Sequence, residues 1–300
     1  MQDIEAIFFD MGGTIRMRPQ NHGHREAMMS RLVRLLGSDN SPTGFDANEF
    51  GSVLSRRAKE YKRWALETRQ ELAEEELWTQ WMLPDWPPDV IEPAAVQLNQ
   101  LWRSSQGTRV IRPDARDVIL ELDRRGYLLG LVSNTTSRVD SPRLLKAMGV
   151  SDCFKTVVLS AVFGKRKPDP AIFLQAIQNL GVRADRCAHV GDRPSRDLVG
   201  ARSAGVATVA IIRDPNGAPS ECPFPKANGA PSECPFPKAN GAPSEWPFPK
   251  ANGAPSEWPS PKANGAPLEP LDASLTPDHV IQSLSELLSI FPPLAGQGEV

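Results

Sequence analysis

The sequence predicts an α/β protein with a parallel sheet between two helical layers, interrupted near its start by an all-helical insertion. Three observations carry that prediction. Short apolar runs at residues 7–9, 128–132, 156–159, 187–190 and 207–212 have the length and composition of buried parallel strands. The stretches between the later runs are amphipathic and stop at Gly126, Gly149, Gly181 and Gly205, residues that supply the left-handed conformation favoured at a helix C-terminus. Between Thr14 and Pro113 the strand signal disappears and helical periodicity replaces it. Alternating strands and helices imply right-handed crossovers and a sheet covered on both faces.

The first element is IEAIFFDMGGTI, residues 4–15, whose apolar run ends at Asp10 and is followed by a glycine pair, Gly12 and Gly13. Ligands of open α/β sheets bind beyond the carboxyl ends of the strands, so a carboxylate fixed there by a strand is placed for chemistry. Helical segments are expected at 24–36, 49–72, 74–82 and 93–102, with breaks at 37–44 and at Pro84, Pro87 and Pro88. Five of the seven tryptophans (Trp64, Trp78, Trp81, Trp86 and Trp102) fall in this insertion, as core residues of a helical bundle do.

Three later strand ends answer Asp10. The run LLGLVSNTTS places Ser133 and Asn134 at the end of a strand. The segment GKRKPDPAIF puts Lys167 just before a helix begun by proline, with Lys165 as a neighbouring alternative. The stretch CAHVGDRPSRD ends a further strand in Asp192 and carries Asp197 five residues on.

A twelve-residue unit, NGAPSECPFPKA, begins at Asn216, repeats at once, and continues as near copies with tryptophan for cysteine to Ala263, with a partial copy after it. Three prolines per unit prevent helix and sheet, and the unit has no apolar face to stack, so residues 216–267 read as a disordered insertion. No unit holds a PxxP core, and no protein partner of the repeat is expected. Residues 268–300 return to globular sequence with a short strand at 279–281 and a closing amphipathic helix. Lengthening that loop roughly eightfold costs only about 2 kcal/mol of closure entropy.

Composition narrows the classes. A formal charge of −2 gives no basic face for nucleic acid, and no long apolar segment predicts a membrane span, so a cytoplasmic protein is expected. Four cysteines without a CxxC spacing predict no disulfide framework.

Taken together, Asp10, Ser133, GxxKPDP and GDxxxxD in this order resemble the haloacid dehalogenase (HAD) superfamily of hydrolases over about two thirds of the chain. The resemblance implies a Rossmann-like three-layer core at 1–15 and 113–215, closed by residues 268–300, with residues 16–112 as an α-helical cap. It further implies a Mg2+-dependent hydrolase that dephosphorylates a small phosphorylated metabolite through an aspartyl-phosphate. Asp10 would be the nucleophile, Lys167 would balance its charge, and Ser133 with the amide of Asn134 would hold phosphate. The metal ligands would be Asp10, Asp192, Asp197 and the carbonyl of Gly12. One residue departs from the family pattern: the first motif normally reads Asp-x-Asp-Gly-Thr, and here the second aspartate, the general acid and base, is Gly12. Two alternatives follow from that departure. A phosphonate hydrolase would need Lys59 or Lys62 as a Schiff base, and a phospholigand sensor would bind without turnover.

Overall fold

The computed structural model describes residues 4–17, 25–36, 47–107, 109–212 and 276–294. The repeat tract lies outside the described residues. Six strands form one parallel sheet: β1 (Ala6–Phe9), β2 (Leu128–Ser133), β3 (Phe154–Leu159), β4 (Cys187–Gly191), β5 (Thr208–Ile212) and β6 (His279–Ile281), in the order β3-β2-β1-β4-β5-β6. The first motif strand is therefore central, between those ending in Ser133 and Gly191. Registers Phe9↔Leu131 and Phe9↔Val190 carry Asp10, Ser133 and Asp192 to one edge of the sheet.

Alternation along each strand feeds two cores. Ile7, Phe9, Leu129, Leu131 and Val190 pack against Val118, Ile119 and Leu122 of a helix at Ala115–Arg124, and against Leu284, Leu287 and Phe291 near the end of the chain. On the other face, Phe8, Val132 and Val209 meet Ile172 and Phe173 of the helix Ala171–Leu180 and Leu198 of the helix Asp197–Ser203. Burial on both sides is why these strands read as continuous apolar runs rather than alternating ones. Gly130 belongs to the second core by absence, since a Cβ there would lie 2.6 Å from the Phe8 ring.

Residues between β1 and β2 form a separate apolar cluster, with helices at Arg25–Leu36, Ala47–Thr68, Glu74–Leu77, Pro88–Ile91 and Ala95–Ser105. Trp78 and Trp86 lie inside it, and Trp64, Trp81 and Trp102 pack on its margin. Several boundaries differ from the sequence expectation: the helix expected at 49–72 runs Ala47–Thr68, the one expected at 93–102 runs Ala95–Ser105 after a 3-10 turn, and two further differences have a local cause. The expected helix at 74–82 keeps α geometry only to Leu77 and continues as a π turn, Trp78–Met82, which closes with Leu83 N–H donating to Trp78 O at 2.8 Å. Pro88, expected to break helix, instead sits in the first turn of one, where its missing N–H is not needed.

At the other end, the closing helix is shorter than expected: a 3-10 turn at Leu284–Glu286 leads into Leu287–Ile290. Tyr127 and Arg125 hold it, the tyrosine hydroxyl donating to Pro292 O at 2.7 Å and the guanidinium to Phe291 O at 2.6 Å. Both cysteines among the described residues, Cys153 and Cys187, are free and buried. No helix among the described residues is long and apolar enough to cross a membrane.

Candidate active site

A buried lysine joins the strand ends. Lys167, 2% exposed, donates from Nζ to Asp10 Oδ1 at 2.6 Å, to Asp197 Oδ1 at 2.7 Å and to the main-chain oxygen of Val132 at 2.8 Å. Its main chain is fixed as tightly, for Asn134 Oδ1 accepts Lys167 N–H at 2.8 Å and Asn134 Nδ2 donates to Lys167 O at 2.9 Å. Lys165, the alternative, bridges Gln70 through its backbone and stays outside this cluster. Burial acts to discharge Lys167, but Asp10 and Asp197 overcome it and hold its pKa above the usual lysine value.

The carboxylates divide by environment. Asp10 is 7% exposed, and its backbone N–H donates to Val190 O at 2.9 Å; burial raises its pKa, opposed mainly by Lys167. Asp197 was expected among the metal ligands, yet its oxygens are committed elsewhere. Oδ1 meets Lys167 and His189 Nε2, the latter at 3.0 Å, and Oδ2 accepts Arg193 N–H at 2.9 Å. Burial acts to raise its pKa, but Lys167 and His189 outweigh it and hold the group ionised. Gly191 makes this possible, because a Cβ there would fall 2.2 Å from Asp197 Cγ.

Asp192 has the opposite character. Among the described residues no hydrogen bond reaches its carboxylate, and the nearest cation, Arg193 Nε, lies 3.8 Å away. Burial, then the charges of Asp10 and Asp197, push its pKa up to about 7. It presses on the first motif loop so closely that a Cβ on Gly13 would sit 2.0 Å from its Oδ2, and Gly13 also holds a φ of +95° that only glycine adopts readily. Gly12 is exposed, and a Cβ there would meet nothing within 4 Å.

Lys167 pairs with two of the three acidic side chains and Asp192 keeps only Arg193 at 3.8 Å, so negative charge at this edge is incompletely compensated. A hard divalent cation fits that deficit: Mg2+ takes oxygen ligands, commonly one or two carboxylates with water filling the remaining positions. Asp10, whose second oxygen has no hydrogen bond among the described residues, Asp192 and the exposed main chain of Gly12 supply such a set. No three His, Cys, Asp or Glu side chains among the described residues converge as a ready cage, because Asp197 is turned toward Lys167.

Ser133 is buried at the end of β2, beside this cluster. The Asn134 side chain is spent on Lys167, so only its main-chain N–H is left to face a ligand. Sequence reading missed His189, which is fully buried with its ring edge-on to Phe173 at 4.9 Å and its pKa lowered by burial. A lone histidine in an apolar strand carries no signal that distinguishes it from core. Lys59 and Lys62 are both exposed on the helix Ala47–Thr68.

The helical segment reaches this edge through a second buried network that sequence reading also missed. Glu71 accepts Tyr61 OH at 2.5 Å and Ser160 Oγ at 3.0 Å and pairs with Arg166 at 3.2 Å, while Thr135 N–H donates to Ser160 Oγ at 2.8 Å. Burial raises the Glu71 pKa against the pull of Arg166. Glu74 and Asn99 extend the contact to Thr136 and Arg138, just beyond β2.

Residues 4–205 match the family described as haloacid dehalogenase-like hydrolase. The chain is 36% identical over 101 residues to glyceraldehyde 3-phosphate phosphatase of Methanopyrus kandleri, covering 34% of this chain and 43% of that protein. It is 37% identical over 112 residues to phosphoserine phosphatase of Thermus thermophilus, covering 36% and 45%. The chain therefore spans less than half the length of these curated relatives. A HAD phosphatase from Thermococcus onnurineus superposes with a TM-score of 0.55 at 20% identity, over 97% of this chain and 99% of that one. A 2-haloacid dehalogenase from Pseudomonas syringae gives 0.56 at 19%, over 96% and 97%; both likenesses concern the fold. A family match across both motif-bearing halves, on a sheet that gathers Asp10, Lys167 and Asp192 at one edge, shows that the chain belongs to the haloacid dehalogenase-like hydrolases.

Proposed function

We propose that this protein is a Mg2+-dependent phosphatase acting on a small phosphorylated metabolite, with Asp10 as nucleophile. The observation that carries the reading is Lys167 Nζ held between Asp10 and Asp197. A carboxylate that attacks a phosphoryl group must be ionised; burial raises the Asp10 pKa, and the Lys167 ammonium 2.6 Å away opposes that rise. Asp197 and His189 are positioning residues, which fix Lys167 rather than touch substrate. Ser133 and the main-chain N–H of Asn134 would hold the phosphoryl oxygens.

Asp10, Asp192 and the Gly12 carbonyl would hold the metal, and Mg2+ bound there would neutralise phosphate oxygens. The named relatives act on phosphate esters, which supports this class without naming the substrate. Residues 16–112 would act as a cap, since their contacts through Glu71, Glu74 and Asn99 reach loops that follow strand ends.

Gly12 separates this reading from a second one. With no acid to protonate the leaving alcohol and no base for water, turnover is expected to fall about 10²- to 10⁴-fold, and at that limit the protein is a phospholigand binder. The phosphonate hydrolase gains no support, because an imine-forming lysine works from a desolvated pocket and Lys59 and Lys62 are exposed. A screen of phosphate esters with and without Mg2+, ordered by leaving-group pKa, tests the proposal. Turnover that needs Mg2+ and vanishes in Asp10→Asn is the expected result; full activity in Asp10→Asn would remove the nucleophile.

A further inference from the structure

Arg16 is a half-buried cation without a partner among the described residues, rooted beside the candidate nucleophile. Its backbone N–H donates to Met11 O at 2.9 Å, its carbonyl accepts Gly13 N–H at 2.6 Å, and it bridges Gly12 on one side and Ile111 on the other. The side chain therefore leaves from the same loop that follows Asp10. Among the described residues no hydrogen bond or ion pair reaches its guanidinium, and its Nε is buried with nothing to bond.

Neighbouring groups make this worse. Arg103 is already taken, donating to Asp140 at 2.5 Å and to Thr136 Oγ1 at 3.2 Å, and among the described residues Arg109 donates only to the carbonyl of Arg103, at 3.3 Å. Arg112 is spent on Gly13 O at 2.9 Å. Burial lowers the Arg16 pKa to about 10 and the charges of Arg109 and Arg103 push the same way, while Asp140 and Asp10 oppose them. It stays protonated at neutral pH. A desolvated guanidinium among like charges costs free energy unless an anion meets it, and its planar fork suits carboxylate and phosphate alike.

We propose that Arg16, with Arg109 beside it, forms a second anion subsite that holds a carboxylate or second phosphate of a substrate whose reacting phosphoryl lies at Asp10. This rests on the phosphatase reading and names its substrate class: small phosphate esters that carry another negative group within reach of the first. A neutral ester would leave Arg16 as it stands now.

The test is titration calorimetry of the full chain carrying Asp10→Asn, in Mg2+, with three probes: 2-phosphoglycolate, ethane-1,2-diol bisphosphate and 2-hydroxyethyl phosphate. At least one of the first two should bind about 10- to 100-fold more tightly than the third. Which one does so identifies carboxylate or phosphate. Adding Arg16→Gln should erase that preference and leave 2-hydroxyethyl phosphate unaffected, whereas Arg16→Lys should keep part of it. Equal binding of all three probes, no binding of any, or equal weakening by Arg16→Gln overturns the subsite. Should Arg16→Gln fail to fold, Arg109→Gln is read in its place by the same criteria. Turnover is measured separately on the unmodified protein. A surviving preference without hydrolysis refutes the phosphatase and keeps the subsite, and hydrolysis without preference does the reverse.

Discussion

Open space at Gly12 gives the sharpest residue-level prediction. With nothing within 4 Å of its missing Cβ, Gly12→Asp should fit without displacing a neighbour, and turnover of alkyl phosphates should rise about 10²- to 10³-fold. Aryl and acyl phosphates should gain less, since their leaving groups depart without a proton. In the unmodified protein the second step should be slow, so intact-mass measurement during turnover should find phosphate on Asp10, and none in Asp10→Asn. Asp197 gives a prediction about stability. Asp197→Asn leaves Lys167 short of one of its two buried partners and should cost about 3–5 kcal/mol near pH 7, read by urea unfolding. Its folded pKa is depressed, so this contribution is complete above the unfolded value near 3.8 and fades as pH falls below it. A cost that stayed constant down to pH 2.5 would contradict the pairing. Both positions were visible in the sequence, because motif spacing names residues. Their partners were not: that Asp197 bonds to Lys167 and His189 depends on a turn at Gly191 that spacing does not encode.

Strands were legible as elements because burial on both faces makes apolar runs, and β1 to β5 lie where those runs predict, β3 beginning two residues earlier, while the edge strand β6 falls at the short strand expected at 279–281. Helices between β1 and β2 were legible in existence and less so in boundary. The π turn at Trp78–Met82 carries the same helical periodicity as the α turn before it, and a first-turn proline looks locally like a breaker. Least legible was the clasp between 69–71 and 164–166, where Arg166 N–H donates to Arg69 O at 3.1 Å and Glu71 N–H to Gly164 O at 3.0 Å. Arg166→Met would strand Glu71 as a buried, unpaired carboxylate, at a cost of about 3–5 kcal/mol. The Glu71 pKa is already raised by burial and should rise further, so this cost should grow as pH increases through that value. Adding Glu71→Gln should recover much of the loss and flatten its pH dependence. If the double variant is no more stable than the single one at pH 8, the clasp is not what holds these segments.

Across the whole molecule, the excursion between β5 and β6 is the main departure from a continuous fold. Its two ends meet in register, Ala210↔His279 to Ile212↔Ile281, and Asp278 ties them by accepting Val209 N–H at 2.6 Å and pairing with Arg202 at 2.5 Å. Deleting 216–263 should therefore leave the sheet intact, with a thermal midpoint equal to or above that of the full chain, because a shorter loop costs less to close. Loss of soluble protein would show that the tract contributes to the fold. The same pairing has a consequence during synthesis. Ile281, Leu284, Leu287 and Phe291 complete the cluster around Ile7 and Phe9, yet they follow the rest of that cluster by the length of the tract. At about 5–20 residues per second, the ribosome needs several seconds to travel from β5 to β6. Throughout that interval the nascent domain holds an unpaired edge at β5 and a bare apolar patch over Ile212, the surfaces that chaperones bind and that neighbouring chains on a polysome join.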